Sequence, residues 1–178
     1  MADSDIELPG FELRRARDAD GPQLIELIER VWDEYPGCVM DVDGEAPELR
    51  RIASAHAEQG GEFHVAERRP GAGGARGERR VVGCVGWLPA PPGRGAGRGL
   101  ELRKLYVAAD ARRSGLGSTL CSLVERAARG LDFVELWSDT RFEDAHRLYE
   151  RRGYCRGPEV RELHDLSGSV EYYFRLSL

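Results

Sequence analysis

The segment from Leu105 to Ser118, which reads LYVAADARRSGLGS, constrains the fold more than any other part of the chain. An apolar strand end is followed by a short turn, and glycines stand where a helix is expected to begin. The first N–H groups of a helix lack intrahelical partners and lie at the positive end of its dipole. Such a helix start can hold an anion, and Gly115 and Gly117 leave room for its close approach. On spacing alone, an ordinary strand-to-helix turn explains the segment equally well.

The hydrophobic periodicity around this segment sets the order of the secondary-structure elements. Alternating apolar and polar residues predict strands, and apolar residues at helical spacing predict helices. The resulting order, β-α-α-β-β-β-α-β-α-β-β, mixes hairpins with crossover connections. It predicts the α/β class, with a central mixed, mostly antiparallel sheet and flanking helices. The predicted strands cover 11–16, 63–67, 81–88, 100–107, 132–138 and a hairpin over 160–176, and the predicted helices cover 22–34, 47–59, 115–129 and 141–151.

Length, charge and composition argue against several classes of protein. With 178 residues, the chain is expected to form one domain over 1–178, with residues 1–9 as a flexible N-terminus. The net charge of −5 argues against nucleic-acid binding. No apolar run approaches the ~20 residues of a membrane span, and the acidic N-terminus does not resemble a signal peptide. We therefore expect no membrane partner and a cytoplasmic location.

Missing motifs narrow the remaining enzyme classes. The four cysteines, Cys38, Cys84, Cys121 and Cys155, form no CxxC pair, so we expect free thiols and no metal site. The single lysine, Lys104, is not part of a G-x-x-x-x-G-K-[ST] loop, which argues against a small kinase. No G-x-G-x-x-G lies between a strand and a helix, which argues against an NAD-dependent oxidoreductase.

Two motifs resemble those of the GNAT N-acetyltransferases. RRSGLG, over 112–117, is similar to the family's Q/R-x-x-G-x-G/A pyrophosphate loop, and it follows an L-Y-V strand end at 105–107. AHRLYERRGY, over 145–154, resembles the family's A-x-x-L-Y-E-x-x-G-F/Y helix. The two motifs occur in the family's order, and the predicted elements follow that order over nearly the whole chain. The resemblance implies the GNAT acyl-CoA N-acyltransferase fold and an acetyl-CoA-dependent transferase.

The resemblance implies where acetyl-CoA binds. The cofactor would lie in a V-shaped opening between the strands that end at Val107 and near Ser138. Backbone groups of this first strand would pair with the pantetheine arm, and the amide near Val107 would polarise the thioester carbonyl. Transfer would be direct, without a metal or a covalent enzyme intermediate. The residues implied to bind the cofactor are Leu105, Tyr106, Val107, Arg112, Arg113, Ser114, Gly115, Leu116, Gly117 and Ser118.

Two residues are candidates for acid and base. Tyr149 matches the family position that protonates the departing thiolate, and the alternative is a partly buried aromatic residue on an amphipathic helix. Glu101 is a candidate base, because the family often places a carboxylate on this strand. It lies six residues before Val107, so the period of two predicts the same face of the strand. The alternative for Glu101 is a solvated strand residue.

The acceptor side is less defined by the sequence. Asp41, Asp43 and Glu45 lie in a loop that borders the acceptor pocket in this fold, and they are a second possibility for the base. Their carboxylates would also attract a cationic amine, and an exposed acidic loop is the alternative. Phe142 stands where many relatives have an asparagine that contacts the cofactor, and Asp139 or Thr140 is a candidate replacement. Phe142 and Thr140 complete the predicted cofactor contacts, and Asp139 completes the predicted acceptor contacts. The role of His146, on the same helix as Tyr149, stays open.

The acceptor itself is expected to be a small-molecule or peptide amine, and the acidic loop favours a small cationic amine. A homodimer through the carboxy-terminal hairpin is one expectation, and burial of Tyr172, Tyr173 and Phe174 in the core is the other. The rival to an active transferase is a catalytically weak acetyl-CoA-binding module that acts as a sensor or interaction protein.

Overall fold

The computed structural model describes residues 8–69, 79–93 and 97–178. Seven strands form one mixed sheet in the order β1-β2-β3-β4-β5-β7-β6, which confirms the predicted fold class. Residues 1–7 of the predicted flexible N-terminus, 1–9, lie outside the described residues. The strands are β1 (Phe11–Arg15), β2 (Glu62–Arg68), β3 (Val81–Pro89), β4 (Gly99–Val107), β5 (Phe133–Asp139), β6 (Cys155–Glu162) and β7 (Val170–Ser177).

The helices agree with the predicted order except in the region after the first helix. The single helix predicted over 47–59 is a 3-10 turn, Pro47–Arg51, followed by a short α-helix. Arg51 has φ −143° and ψ 46°, outside the helical region, so one continuous α-helix cannot pass through it. A further one-turn helix inside the preceding loop was not predicted. The α-helices of the described residues are α1 (Gly21–Trp32), α2 (Val42–Glu45), α3 (Ile52–Glu58), α4 (Leu116–Ala127) and α5 (Glu143–Arg151).

Strands β4 and β5 form the parallel pair of an otherwise antiparallel sheet. Their pairing covers three residue pairs, from Gly99 with Phe133 to Glu101 with Glu135. Beyond that point the two strands have no paired residues in the described part of the chain, although each continues for several residues. The backbone groups on the facing edges are therefore left without strand partners. This opening is the V-shaped gap that the family resemblance implied.

An additional residue in β4 changes which side chains share a face. Cys84 pairs with Tyr106 but Gly86 pairs with Arg103, so three steps along β4 match two along β3. Lys104 lies within this bulge and has φ 53°. Glu101 and Tyr106 therefore share one face, and Val107 lies on the other. The prediction that Glu101 and Val107 share a face is wrong, because the period of two holds for regular strands.

Helices cover the two faces of the sheet. α1 packs on β3 and β4, and α3 packs on β2, whereas α4 packs on β3 and β4 from the opposite side. A Cβ on Gly83 would lie 3.1 Å from Leu116, so this strand approaches α4 closely. Phe174 is fully buried, and the Tyr173 hydroxyl donates to Glu135 at 2.8 Å. At these two residues the aromatic hairpin belongs to the core.

The cysteines, the possible metal ligands and the lengths of the helices can be compared with the expectations of free thiols, no metal site and no membrane span. All four cysteines are free, and burial raises the pKa of Cys84 and of Cys121 to about 12. Among the residues that the structure describes, no group of three or more His, Cys, Asp or Glu side chains is placed to hold a metal ion. None of the helices in the described ranges is long and apolar enough to cross a membrane.

Candidate active site

A cavity of about 770 Å³ opens between the end of β4 and α5, and we call it the wedge cavity. One side is formed by the end of β4 and the start of α4, and the other by α5. Nine of the predicted cofactor residues line it: Leu105, Tyr106, Val107, Arg112, Arg113, Gly115, Gly117, Ser118 and Phe142. Ser114, Leu116 and Thr140 were predicted as well but are not among its lining residues. The wedge cavity therefore combines most of the predicted cofactor contacts.

The start of α4 is open toward the wedge cavity. Gly115 caps the helix with φ 86°, a conformation that side chains other than glycine rarely adopt. A Cβ on Gly117 would lie 3.2 Å from Leu148, so a larger residue here would fill space between α4 and α5. The Ser114 hydroxyl donates to the Ala111 carbonyl at 2.7 Å and so fixes the preceding turn. This geometry suits an anion held by backbone N–H groups at the first turn of the helix.

Four arginines line the wedge cavity, two of which the sequence analysis did not select. Arg112 and Arg113 were predicted, whereas Arg147 and Arg151 occupy variable positions of the second motif. Their spacing of four residues places both on one face of α5. Arg147 pairs with Asp144 at 2.8 Å. The cluster gives the cavity a positive lining that suits an anionic ligand.

Tyr149 lies on α5 next to Leu148, which lines the wedge cavity, but Tyr149 itself is not among the lining residues of either cavity. Its side chain is 4% exposed, and its ring lies 5.7 Å from Phe174 and 5.8 Å from Tyr154. Burial raises its pKa well above the usual value for a phenol, with smaller contributions from Cys121 and Tyr106. The phenol is therefore protonated at neutral pH and able to donate.

A second cavity of about 260 Å³ lies on the α1 side of the sheet, and we call it the side cavity. Trp32 of α1 and Trp137 of β5 form part of its wall. Tyr106 and Phe142 line both cavities, so the two meet at these side chains. Phe142 packs against Tyr35 with 4.7 Å between ring centroids. The residue that replaces the family's asparagine is therefore part of the boundary between the cavities.

The side cavity carries an excess of negative charge. Of its cationic side chains, Lys104 pairs with Glu48 at 2.8 Å and Arg161 with Glu171 at 2.5 Å. Six carboxylates line it, those of Asp41, Glu45, Glu101, Asp139, Asp165 and Glu171, against three cations, Arg103, Lys104 and Arg161. The charge of this lining favours a cationic ligand.

Glu101 is buried in the side cavity, and its carboxylate forms no hydrogen bond to another described residue. The residue is 8% exposed, and its nearest ionic partner is Arg103, whose Nε lies 3.7 Å away. That distance is longer than a hydrogen bond, and no other described residue bonds to this carboxylate. Its oxygens are therefore available to a ligand or a water molecule.

The other predicted acceptor residues have different surroundings. Asp41 lines the side cavity and accepts a hydrogen bond from the Gly44 amide at 2.9 Å. Asp43 lines neither cavity and pairs with Arg50 at 2.7 Å. Asp139 lines the side cavity, but Arg141 holds both of its oxygens. The structure therefore brings Asp41 and Asp139 together and leaves Asp43 outside.

His146 and Thr140 contact the backbone near the end of β5. The Thr140 amide donates to the Val170 carbonyl at 2.8 Å. The His146 Nε2 lies 3.0 Å from the Asp139 carbonyl, which requires it to donate. Burial lowers the pKa of His146, so the ring is neutral at pH 7. These contacts tie α5 and β7 to the end of β5.

The sequence matches the family model "Acetyltransferase (GNAT) family" over residues 24–154, which is more than half of the chain. The chain belongs to the GNAT acetyltransferase family. No curated protein has a significant match to it.

Solved structures share the GNAT fold over nearly the full length. A GNAT acetyltransferase from Staphylococcus aureus matches with a TM-score of 0.72 over 94% of this chain and 99% of its own, at 16% identity. An acetyltransferase from Streptococcus agalactiae gives 0.72 over 96% and 99%, at 17% identity. The protein yncA from Salmonella typhimurium, solved with its cofactor acetyl-CoA, gives 0.64 over 95% and 94%, at 17% identity. At such low identity the likeness shows the GNAT fold alone.

Proposed function

We propose that this GNAT protein transfers an acetyl group directly from acetyl-CoA to a primary amine in a ternary complex. The observation that carries the proposal is that the wedge cavity and the side cavity meet at Tyr106 and Phe142. One cavity has a cationic lining and the start of a helix, which suit the cofactor. The other is small and anionic, which suits an amine. The junction between them is where the acetyl group would pass.

The wedge cavity fits acetyl-CoA, which supplies an acyl thioester. The unpaired edge of β4 toward Val107 offers backbone groups to the pantetheine arm, and the start of α4 offers N–H groups to the pyrophosphate. Arg113 and Arg151 add positive charge beside this position. The amide near Val107 is the group that would polarise the thioester carbonyl.

Tyr149 would act as the general acid. Transfer forms a bond between the amine nitrogen and the acetyl carbon, breaks the bond from that carbon to sulfur, and releases the second proton of the nitrogen to solvent. The thiolate that leaves takes a proton from the Tyr149 hydroxyl. Because burial raises the pKa of Tyr149, the proton is present when the thiolate forms. The tyrosine regains a proton from solvent after the product leaves.

Glu101 would act as the general base on the acceptor. A primary amine is mostly protonated at neutral pH and must lose a proton before it attacks. The Glu101 carboxylate lies in the side cavity without a hydrogen-bond partner among the described residues, so it can take this proton directly or through a water molecule. Its position on the face opposite Val107 separates proton removal from the backbone that holds the cofactor.

The acceptor is a small amine, with a cationic one favoured by the six carboxylates that line the side cavity. A peptide amine is the alternative class. A homodimer, a cytoplasmic location and a single domain over 1–178 stay predictions.

A thermal-shift titration with acetyl-CoA tests the cofactor assignment, with ATP and NAD as controls. At a hundredfold excess over Kd a ligand stabilises by about 2.7 kcal/mol. For a chain of this size, that raises Tm by about 5–10 °C. We expect this rise with acetyl-CoA alone and its loss in Gly117→Glu. Ser177→Glu, which adds the same charge at an exposed site, should keep it.

Thiol release in the presence of a panel of primary amines tests the transfer itself. Amine-dependent release supports the transferase. A rise in Tm without release for any amine would favour the acetyl-CoA-binding sensor instead. No rise in Tm with acetyl-CoA would overturn the cofactor assignment.

A further inference from the structure

Two loops that are far apart in the sequence join beside the side cavity. One follows α1 and contains α2, and the other connects β6 to β7. The Val39 amide donates to the Ser167 hydroxyl at 2.8 Å, and the same hydroxyl donates to the Val39 carbonyl at 3.1 Å. The Leu166 amide donates to Glu45 at 2.7 Å. We call these three hydrogen bonds the loop clasp.

The loop clasp depends on the Ser167 hydroxyl, which both accepts and donates a hydrogen bond. Ser167 accepts from and donates to the backbone of one residue, Val39, as a neighbouring strand would do. Alanine can do neither, so Ser167→Ala removes two of the three bonds at once. Both loops also line the side cavity, the first through Met40 and Asp41 and the second through Leu163 and Asp165.

A third element fixes the loop clasp to the sheet. Arg141 follows β5, and its guanidinium is held by two hydrogen bonds to Asp139, at 2.8 and 2.6 Å. From there it reaches the Ser167 carbonyl at 3.4 Å and the Ser169 hydroxyl at 3.3 Å. Asp139, predicted as an acceptor contact, therefore orients the arginine that supports the second loop.

The joined loops form one side of the small side cavity. Its volume of about 260 Å³ is about a third of the 770 Å³ of the wedge cavity. A polypeptide amine brings further residues with it, and these need a groove that stays open beyond the amine. The loop clasp joins the two loops on this side of the cavity through Val39 and Ser167.

We propose that the loop clasp restricts this enzyme to free small amines and excludes polypeptide amines. This inference rests on the proposed transferase function. The small amine carries a positive charge, which the carboxylates of Asp41, Glu45 and Asp165 attract, and a flat or apolar body, which fits beside Trp32. Ser167 and Glu45 are the residues that determine this specificity.

The test compares acceptors in the wild type, in Ser167→Ala and in Ser167→Ala with Glu45→Ala. The probes are 1,4-diaminobutane and tryptamine as small amines, and a hexapeptide with a free amino-terminal alanine. The matched control is Ser177→Ala with Glu162→Ala. It makes the same replacements at exposed positions on β7 and β6, outside both cavities. The affinity for acetyl-CoA is measured in every variant to show that the wedge cavity is intact.

We expect the wild type to acetylate at least one small amine and to give the hexapeptide a kcat/KM at least tenfold lower. Opening the loop clasp should raise kcat/KM for the hexapeptide, relative to kcat/KM for the small amine, by about tenfold or more. A tenfold change corresponds to ~1.4 kcal/mol. The control should keep the wild-type ratio.

Two results would overturn the inference alone: a wild type that prefers the hexapeptide, or a clasp variant whose ratio does not change. Acetyl-CoA binding without transfer to any probe, or to the wider amine panel, would overturn the transferase function, and the inference with it.

Discussion

Arg112 holds Glu34 in two hydrogen bonds, of 2.6 and 2.8 Å, just after the end of α1. Its third contact is from Nε to the Val107 carbonyl at 3.0 Å. Arg112 thus connects α1 to the end of β4, beside the opening where the cofactor is proposed to bind. The Arg112 guanidinium therefore pairs with Glu34 and also lines the wedge cavity.

Replacing Glu34 with glutamine should raise the affinity for acetyl-CoA a few-fold. The change removes one negative charge near an anionic ligand and leaves the Arg112 contact to Val107 in place. Arg112→Gln should lower the affinity. Isothermal titration calorimetry at low and high salt measures both effects, and they should shrink at high salt because the charges are partly exposed. Glu26→Gln, an exposed change on α1, serves as the control. Equal affinities in all three variants would contradict this account of the pair.

Replacing Tyr149 with phenylalanine should lower kcat by about 10²–10⁴-fold, the usual contribution of a general acid. The ring still packs against Phe174, so the fold and the acetyl-CoA affinity should stay nearly unchanged. Steady-state kinetics together with a thermal-shift titration separate the two effects.

Tyr154→Phe is a matched control for this experiment. Tyr154 is buried beside Tyr149, and its hydroxyl has no hydrogen-bond partner in the part of the chain that the structure describes. Removing this hydroxyl should leave kcat as in the wild type. A similar loss of kcat in both variants would point to packing and not to proton donation.

Replacing Glu101 with glutamine should lower kcat/KM for the acceptor by roughly 10²-fold or more. The amide keeps the size of the side chain but cannot take the proton of the ammonium group. Raising the pH toward the pKa of the amine should recover part of the activity, because the free amine is then more abundant. Glu162→Gln, an exposed change on β6, should follow the wild-type pH profile. A Glu101→Gln profile parallel to that of the wild type would remove Glu101 from the mechanism.

The stability of the protein should fall as the pH decreases from about 7 to 5, in part because of His56. Burial lowers the pKa of His56, which is 3% exposed, so the unfolded chain binds a proton more readily than the folded one. Stability is therefore present above the unfolded pKa and is lost below it. The His56 Nδ1 donates to the Ile52 carbonyl at 3.0 Å, whereas Nε2 has no partner among the described residues for a second proton.

Thermal melts across this pH range test the role of His56. His56→Gln should flatten the decline, whereas His164→Gln, at an exposed position, should not. Part of the decline should remain in His56→Gln, because burial also lowers the pKa of His146. An unchanged slope in His56→Gln would show that this ring does not couple folding to protonation.

The sequence predicted the elements that carry local signals and missed features that depend on distant contacts. The helix expected over 115–129 is observed at Leu116–Ala127, because its glycines and apolar spacing mark both ends. The bulge at Lys104 was missed, since it shows only in the pairing of β4 with β3. The contact between Val39 and Ser167 joins positions 128 residues apart, so no local sequence pattern predicts it. Arg147 and Arg151 were overlooked because their motif positions accept many residues.

The additional residue in β4 has a consequence for how this chain can diverge. Exchanges at Glu101 and Arg103, ahead of the bulge, alter the lining of the side cavity, whereas exchanges at Val107 alter the lining of the wedge cavity. The lining of the side cavity can therefore change at Glu101 and Arg103 while Val107 is kept, whereas a change at Tyr106 affects both cavities. Loss of a single residue at Lys104 would be a different kind of event. It would move the side chains after position 104 to the other face of the sheet. Residues of β4 that now face the wedge cavity would then face the side cavity, and the reverse.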